Sequence, residues 1–369
     1  MLNHWLKPVA LHELFSGDLE SDDLGYHVLF HDQQTGLPDL TGVKIAIIGT
    51  DGASADPIRK QLYKLSHHFG DLKIVDLGNL RKTNLDFSIG ALSEIRAIGI
   101  LPIIIGQDIR FSQALYRALK MNFPNINLVC VDESVPLEPD RLEQPKAYLN
   151  PMALGADSKI FQLGLIGFQK HFTPARVLQF VENQNYDIMR LGEARAKLAE
   201  VEPIIRNADL MGLNLGVIRS ADFVAVDHPS PSGFAAEETC KLAHYAGMSD
   251  KLKGFYLLGY QVDKDLNQQS AFVVAEMLWY FLEGYYHRKG DYPVSTEGLN
   301  EYIVELKRYD YQLTFWKSKL SGRWWIQVPV KVKKRDQRHR LIPCSFQDYK
   351  MATQDELPDR LIKAFKRFV

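Results

Sequence analysis

The chain holds 369 residues, 46% hydrophobic and 24% charged, with 25 Gly and 17 Pro, which excludes disordered, collagen-like and coiled-coil classes. Its 44 Lys and Arg against 45 Asp and Glu leave a formal charge of −1, so no overall field favours nucleic acid or anionic lipid. No apolar run approaches the roughly 18 residues of a membrane span, and the opening MLNHWLKPVALHELF lacks the basic and apolar regions of a signal peptide. A cytoplasmic protein with no nucleic-acid partner and no membrane span is expected. Cys130, Cys240 and Cys344 are far apart and outside any CxxC spacing, so they are expected to be reduced thiols.

Residues 1–42 are polar and turn-rich, a lead-in expected to drape over the main domain. Val43 to Gly49 is a β-branched run ending in Gly, the pattern of a strand buried on both faces. Asp56 and Pro57 then predict a helix start, with Ile58, Leu62 and Leu65 on one stripe. The alternation repeats. Strands are expected over 73–77, 101–106, 127–132, 162–167, 186–190, 210–217 and 254–261, with helices over 87–98, 111–121, 235–245 and 270–286. This grammar predicts a three-layer α/β/α sandwich of about eight mostly parallel strands over residues 43–290.

Residues 291–369 change character, with Trp, Tyr and Lys/Arg replacing the alternation. They are expected to form an appendage packed on the domain: a hairpin of 312–317 and 323–331, then a helix from Glu356. Trp316, Arg323, Trp324 and Trp325 are the expected contact surface for a partner, since aromatics and Arg enrich interface cores. The run Lys331 to Arg340 is interrupted by Asp336 and Gln337 and is expected to be a solvated hairpin.

Ligands of open parallel sheets bind beyond the carboxyl ends of the strands. Those ends read Gly49-Thr-Asp-Gly52, Gly106-Gln107-Asp108-Ile109, Asp132-Glu133-Ser134-Val135-Pro136 and Gly212-Leu-Asn214-Leu-Gly216. None is a phosphate loop or a dinucleotide fingerprint, and Ser134, Ser230 and Ser232 lack the nucleophile elbow. Asp108 is expected to hold the turn into the next helix.

The order of these ends, with Ala55-Asp-Pro-Ile-Arg59, Val75-Asp-Leu-Gly78 and Ser232-Gly-Phe-Ala-Ala-Glu-Glu238, resembles the ureohydrolase superfamily of arginase, agmatinase and formimidoylglutamase over residues 40–285. The Glu283-Gly-Tyr-Tyr286 helix end and Arg323-Trp-Trp325 resemble a formimidoylglutamase-like bacterial branch. The resemblance implies two Mn²⁺ ions whose bridging hydroxide attacks an amidine or guanidinium carbon. It places the six metal ligands at Ile109, Asp132, Ser134, Pro136, Asn214 and Gly216, of which Asp132 alone is a carboxylate. A single anion does not balance two divalent cations.

The expectation is therefore a non-catalytic binding or scaffold protein with no cofactor. The alternatives are a manganese-dependent amidine hydrolase with a rebuilt site that draws on Asp222, Asp227 or His228, and a sensor of a small amino acid or guanidino compound held by Gln107, Asp132 and Asn214. The resemblance also implies an oligomer, and a protein partner linked to gliding or type IX secretion machinery.

Overall fold

The computed structural model describes residues 2–15, 17, 19–140, 146–293, 295–328 and 340–368. Ten strands form the main sheet: β1 (Leu6–Lys7), β2 (Val28–Phe30), β3 (Ile45–Gly49), β4 (Ile74–Leu80), β5 (Leu101–Gly106), β6 (Ile126–Val131), β7 (Ile160–Ile166), β8 (Asp187–Met189), β9 (Leu210–Asn214) and β10 (Gly254–Leu258). Their order is β1-β4-β3-β5-β10-β9-β6-β7-β8, with β2 also on β4. All pairings are parallel except β1 with β4. The eight strands expected from the sequence are all present, as β3 to β10.

Alternate residues of these strands enter two separate cores. Ile45, Ile47, Ile103, Val129, Leu213 and Phe255 face one layer of helices, while Ala46, Ile48, Ile104, Leu128, Cys130 and Tyr256 face the other. That alternation produces three layers, because a strand apolar at every position must be covered on both faces. Among the described residues no helix is long and apolar enough to cross a membrane.

Two local expectations differ from the structure. The first helix is Gly52–Leu62, capped by Asp51, whose carboxylate accepts from Ser54 N at 2.8 Å, and Pro57 lies inside it. Asp56 instead accepts from the Arg59 guanidinium at 2.8 Å. The lead-in also pairs rather than merely covering. Val28–Phe30 run beside Ile74–Asp76, and Leu6 and Lys7 pair with Leu80 and Asn79, closing one edge of the sheet.

The C-terminal part is a second, antiparallel sheet of β11 (Leu299–Leu306), β12 (Tyr311–Ser318), β13 (Trp324–Gln327) and β14 (Leu341–Cys344), in that order. Helices Phe346–Thr353 and Asp359–Phe368 follow it. Val304, Leu313, Phe315, Trp324 and Ile326 pack with Ala352, Leu361 and Ala364 as a third core. The expected hairpin is β12 and β13; β11, β14 and the helix Phe346–Thr353 were not expected.

The expectation of an open contact surface at the tryptophans is corrected. Trp324 is 7% and Trp325 1% exposed. The Trp324 ring stacks on Tyr349 at 4.9 Å, and the Arg206 guanidinium lies 4.6 Å from the Trp325 ring centre. Arg206, from the helix Leu198–Arg206 of the main domain, also donates to the Trp324 and Cys344 carbonyls. Arg323 pairs with Glu202 and Asp291 at 3.6 Å each, and half-buried Trp316 donates Nε1 to Gln327 at 3.1 Å. Aromatic rings bring large apolar area, and here it serves the core and the seam between the two sheets. Of the basic run, residues 331–339 lie outside the described residues, and the Arg340 carbonyl accepts from Val328 N at 2.9 Å.

Candidate functional site

β5, β10, β9 and β6 are consecutive in the sheet, so the residues leaving their carboxyl ends form one surface. Asp132, leaving β6, is 3% exposed. Its Oδ1 accepts from Ser134 N at 3.0 Å, and its Oδ2 accepts from Tyr148 Oη at 2.8 Å and Asn214 Nδ2 at 3.0 Å. Burial pushes its carboxyl above the usual carboxylate range, against the pull of those donors. The single Tyr148 hydroxyl proton goes to Asp132. Cys130 Sγ, 2.9 Å from that hydroxyl, must then be the donor of their contact.

The Tyr256 ring lies against the backbone of β9. A Cβ on Gly212 would come within 2.2 Å of it, so only glycine lets the ring occupy this place. Burial raises the Cys130, Tyr148 and Tyr256 pKa values, and the Asp132 charge adds to each shift. These groups stay protonated at neutral pH.

Glu133 is the second acid here. Burial, then the neighbouring Asp132 charge, raise its pKa to about 7, and Lys146 opposes the shift. Among the described residues its buried Oε2 has no hydrogen-bond partner. A Cβ built on Gly216 would be 3.5 Å from the Glu133 carboxyl, which places that carboxyl beside the end of β9.

The other expected site residues are distributed as follows. Asn214 Oδ1 accepts from Gly216 N at 3.3 Å, closing a turn after β9. Gln107 donates to Gln261 at 2.6 Å, bridging the ends of β5 and β10. Asp108 accepts from Arg110 N at 2.9 Å and pairs with the Arg110 guanidinium at 2.7 Å, just ahead of the helix Phe111–Lys120. Ile109 packs against the apolar core. Pro136 is buried, its carbonyl accepting from Leu149 N. The structure thus brings Asp132, Ser134, Asn214 and Gly216 together.

Asp222, Asp227 and His228 do not join them as a ligand set. Asp222 accepts from Arg219 Nε at 2.9 Å and Ala236 N at 2.8 Å. Asp227 pairs with Lys264 at 3.2 Å, and His228 is exposed. Among the described residues no group of three or more His, Cys, Asp or Glu side chains is placed to hold a metal ion.

The donor set does not fit a dinuclear manganese centre. Manganese is held by carboxylate, imidazole and water ligands. Asp132 already accepts from three donors, two of them on Oδ2, and Asn214 presents an N–H rather than an oxygen toward it. Ile109, Pro136 and Gly216 carry no ligating side-chain atom. Sequence reasoning did not anticipate Tyr148, Cys130 or Tyr256. Tyr148 lies 16 residues beyond Asp132 in a stretch without periodicity, so no sequence signal ties it to the strand end.

The fold has known counterparts. Trypanosoma cruzi formiminoglutamase with Mn²⁺ superposes with a TM-score of 0.61 at 17% identity, over 76% of this chain and 100% of that one. An arginase superfamily protein from Trypanosoma cruzi gives 0.64 at 18% identity, over 73% and 100%. The fold is that of the arginase superfamily. Formimidoylglutamase from Bacillus subtilis gives 0.58 at 14% identity, over 70% of this chain and 96% of that one. No family model and no curated protein matches the sequence. The arginase-type core therefore accounts for about three quarters of the chain.

Proposed function

We propose that this chain is a non-catalytic protein of the arginase fold that serves as a binding or scaffold element. The observation that carries this reading is the enclosure of Asp132 by Ser134 N, Tyr148 Oη and Asn214 Nδ2. Three internal donors already occupy this carboxyl, and a cation placed at its Oδ2 would meet the N–H of Asn214 head-on. The reading is supported further by Asp222 and Asp227, whose carboxylates already face Arg219 and Lys264.

The test is an assay of formimidoylglutamate, arginine and agmatine hydrolysis with and without added Mn²⁺. No turnover under either condition is expected. Turnover that depends on Mn²⁺ and stops with chelator would establish an amidine hydrolase with a rebuilt centre instead.

A further inference from the structure

β11 is the outermost strand of the C-terminal sheet: it pairs with β12 along all eight residues and, among the described residues, has no strand on its other side. Native sheets blunt such edges with charged side chains, Lys above all, or with Pro, bulges or short strands. β11 is eight residues long with no Lys or Pro and a continuous register with β12, and its only charged side chains are Glu301 and Glu305.

The side chains give the edge a chemical character. Asn300, Tyr302, Val304 and Leu306 form one set, with Val304 and Leu306 buried in the third core and Tyr302 packed against it. The alternate set is Leu299, Glu301, Ile303 and Glu305, in which Ile303 is 59% exposed and both glutamates are exposed. Neither Glu301 nor Glu305 makes an ion pair among the described residues. Their neighbours across β12 are Trp316 and Gln312, with Thr314 opposite Ile303, so no cation of the adjoining strand answers them.

We infer that β11 is a docking edge that takes an extended basic segment of a partner protein as a fifth strand. Backbone N–H and C=O groups on the free side of β11 supply the ladder, as in strand addition generally. Directly opposed residues of an antiparallel pair lie on the same face. Glu301 and Glu305 therefore select Lys or Arg on the partner, and Ile303 an apolar residue between them. A second copy of the chain suits the edge less well: the antiparallel register centred on Ile303 places Glu301 opposite Glu305 twice, and like charges so opposed are destabilising. The edge belongs to the second sheet, so this inference stands whichever way the hydrolysis assay falls.

The experiment uses the full chain and two fluorescent blocked peptides, one with a Lys-Thr-Val-Thr-Lys core and one with a Glu-Thr-Val-Thr-Glu core. Binding is read by anisotropy and the site by amide hydrogen exchange. The basic peptide is expected to bind at least about tenfold more tightly than the acidic one and to slow exchange within 299–306. A double variant, Glu301→Lys with Glu305→Lys, alters only exposed side chains and is expected to reverse the preference while melting at the same temperature. Basic-peptide binding that leaves 299–306 exchange unchanged, or that survives the double variant, would overturn the inference. So would a stable homodimer in which 299–306 are already protected.

Discussion

Asn214 directs its side-chain N–H at Asp132 Oδ2 across 3.0 Å. This contact joins the end of β9 to the end of β6 through a donor and an acceptor of the protein itself. Replacing Asn214 by Asp would set two carboxylates against each other in a buried place. The variant is expected to lose about 1–3 kcal/mol at neutral pH and to recover part of it in acid, where one carboxyl takes a proton. Thermal unfolding with and without Mn²⁺ checks this: Mn²⁺ is expected to leave the melting temperature unchanged, and a marked rise would show that a cation site remains.

Tyr148→Phe removes the second side-chain donor to Asp132 while keeping the ring. The loss of a hydrogen bond to a buried charged group is expected to cost about 1.5–3 kcal/mol, measured by urea denaturation. A neutral result would mean that Asp132 does not depend on this enclosure.

Glu133 makes stability depend on pH. Its carboxyl titrates at about 7 in the folded protein against an ordinary 4.5. Between those values the folded chain holds a proton that the unfolded chain has lost, so this group's contribution falls as pH rises from about 4.5 to 7 and is constant above. Asp132, also shifted upward by burial, acts in the same sense. Glu133→Gln is expected to flatten the dependence and to add about 1 kcal/mol above pH 7, after allowance for the group's partial exposure. Urea midpoints of both proteins across that range check it; parallel curves would contradict it.

Arg206 ties the two sheets together through Trp324 O, Cys344 O and the Trp325 ring, with Glu202 at 2.9 Å. Arg206→Ala leaves buried carbonyls and an acid without their main partner, and is expected to cost about 3 kcal/mol. Faster proteolysis near residues 291–298 is the accompanying readout. An unchanged melting temperature would show that the seam does not rest on this residue.

Much of the fold was legible because both-face burial writes itself as unbroken apolar runs. Ile45–Gly49, Leu101–Gly106 and Gly254–Leu258 are buried at every position. The edge strands β1 and β2 were not legible, since two or three residues carry no period. Trp324 and Trp325 were misread because composition does not distinguish a ring facing solvent from one facing Tyr349 or Arg206. At the site, strand-end reasoning reached Asp132 and Asn214 but not their enclosure, which comes from Tyr148 folding back over β6.

The most direct test of the account is the metal content of the chain purified after growth with manganese and dialysed without chelator. The enclosure of Asp132 predicts well under about 0.1 Mn, Co or Zn per chain. About two manganese ions per chain, retained through dialysis, would contradict it.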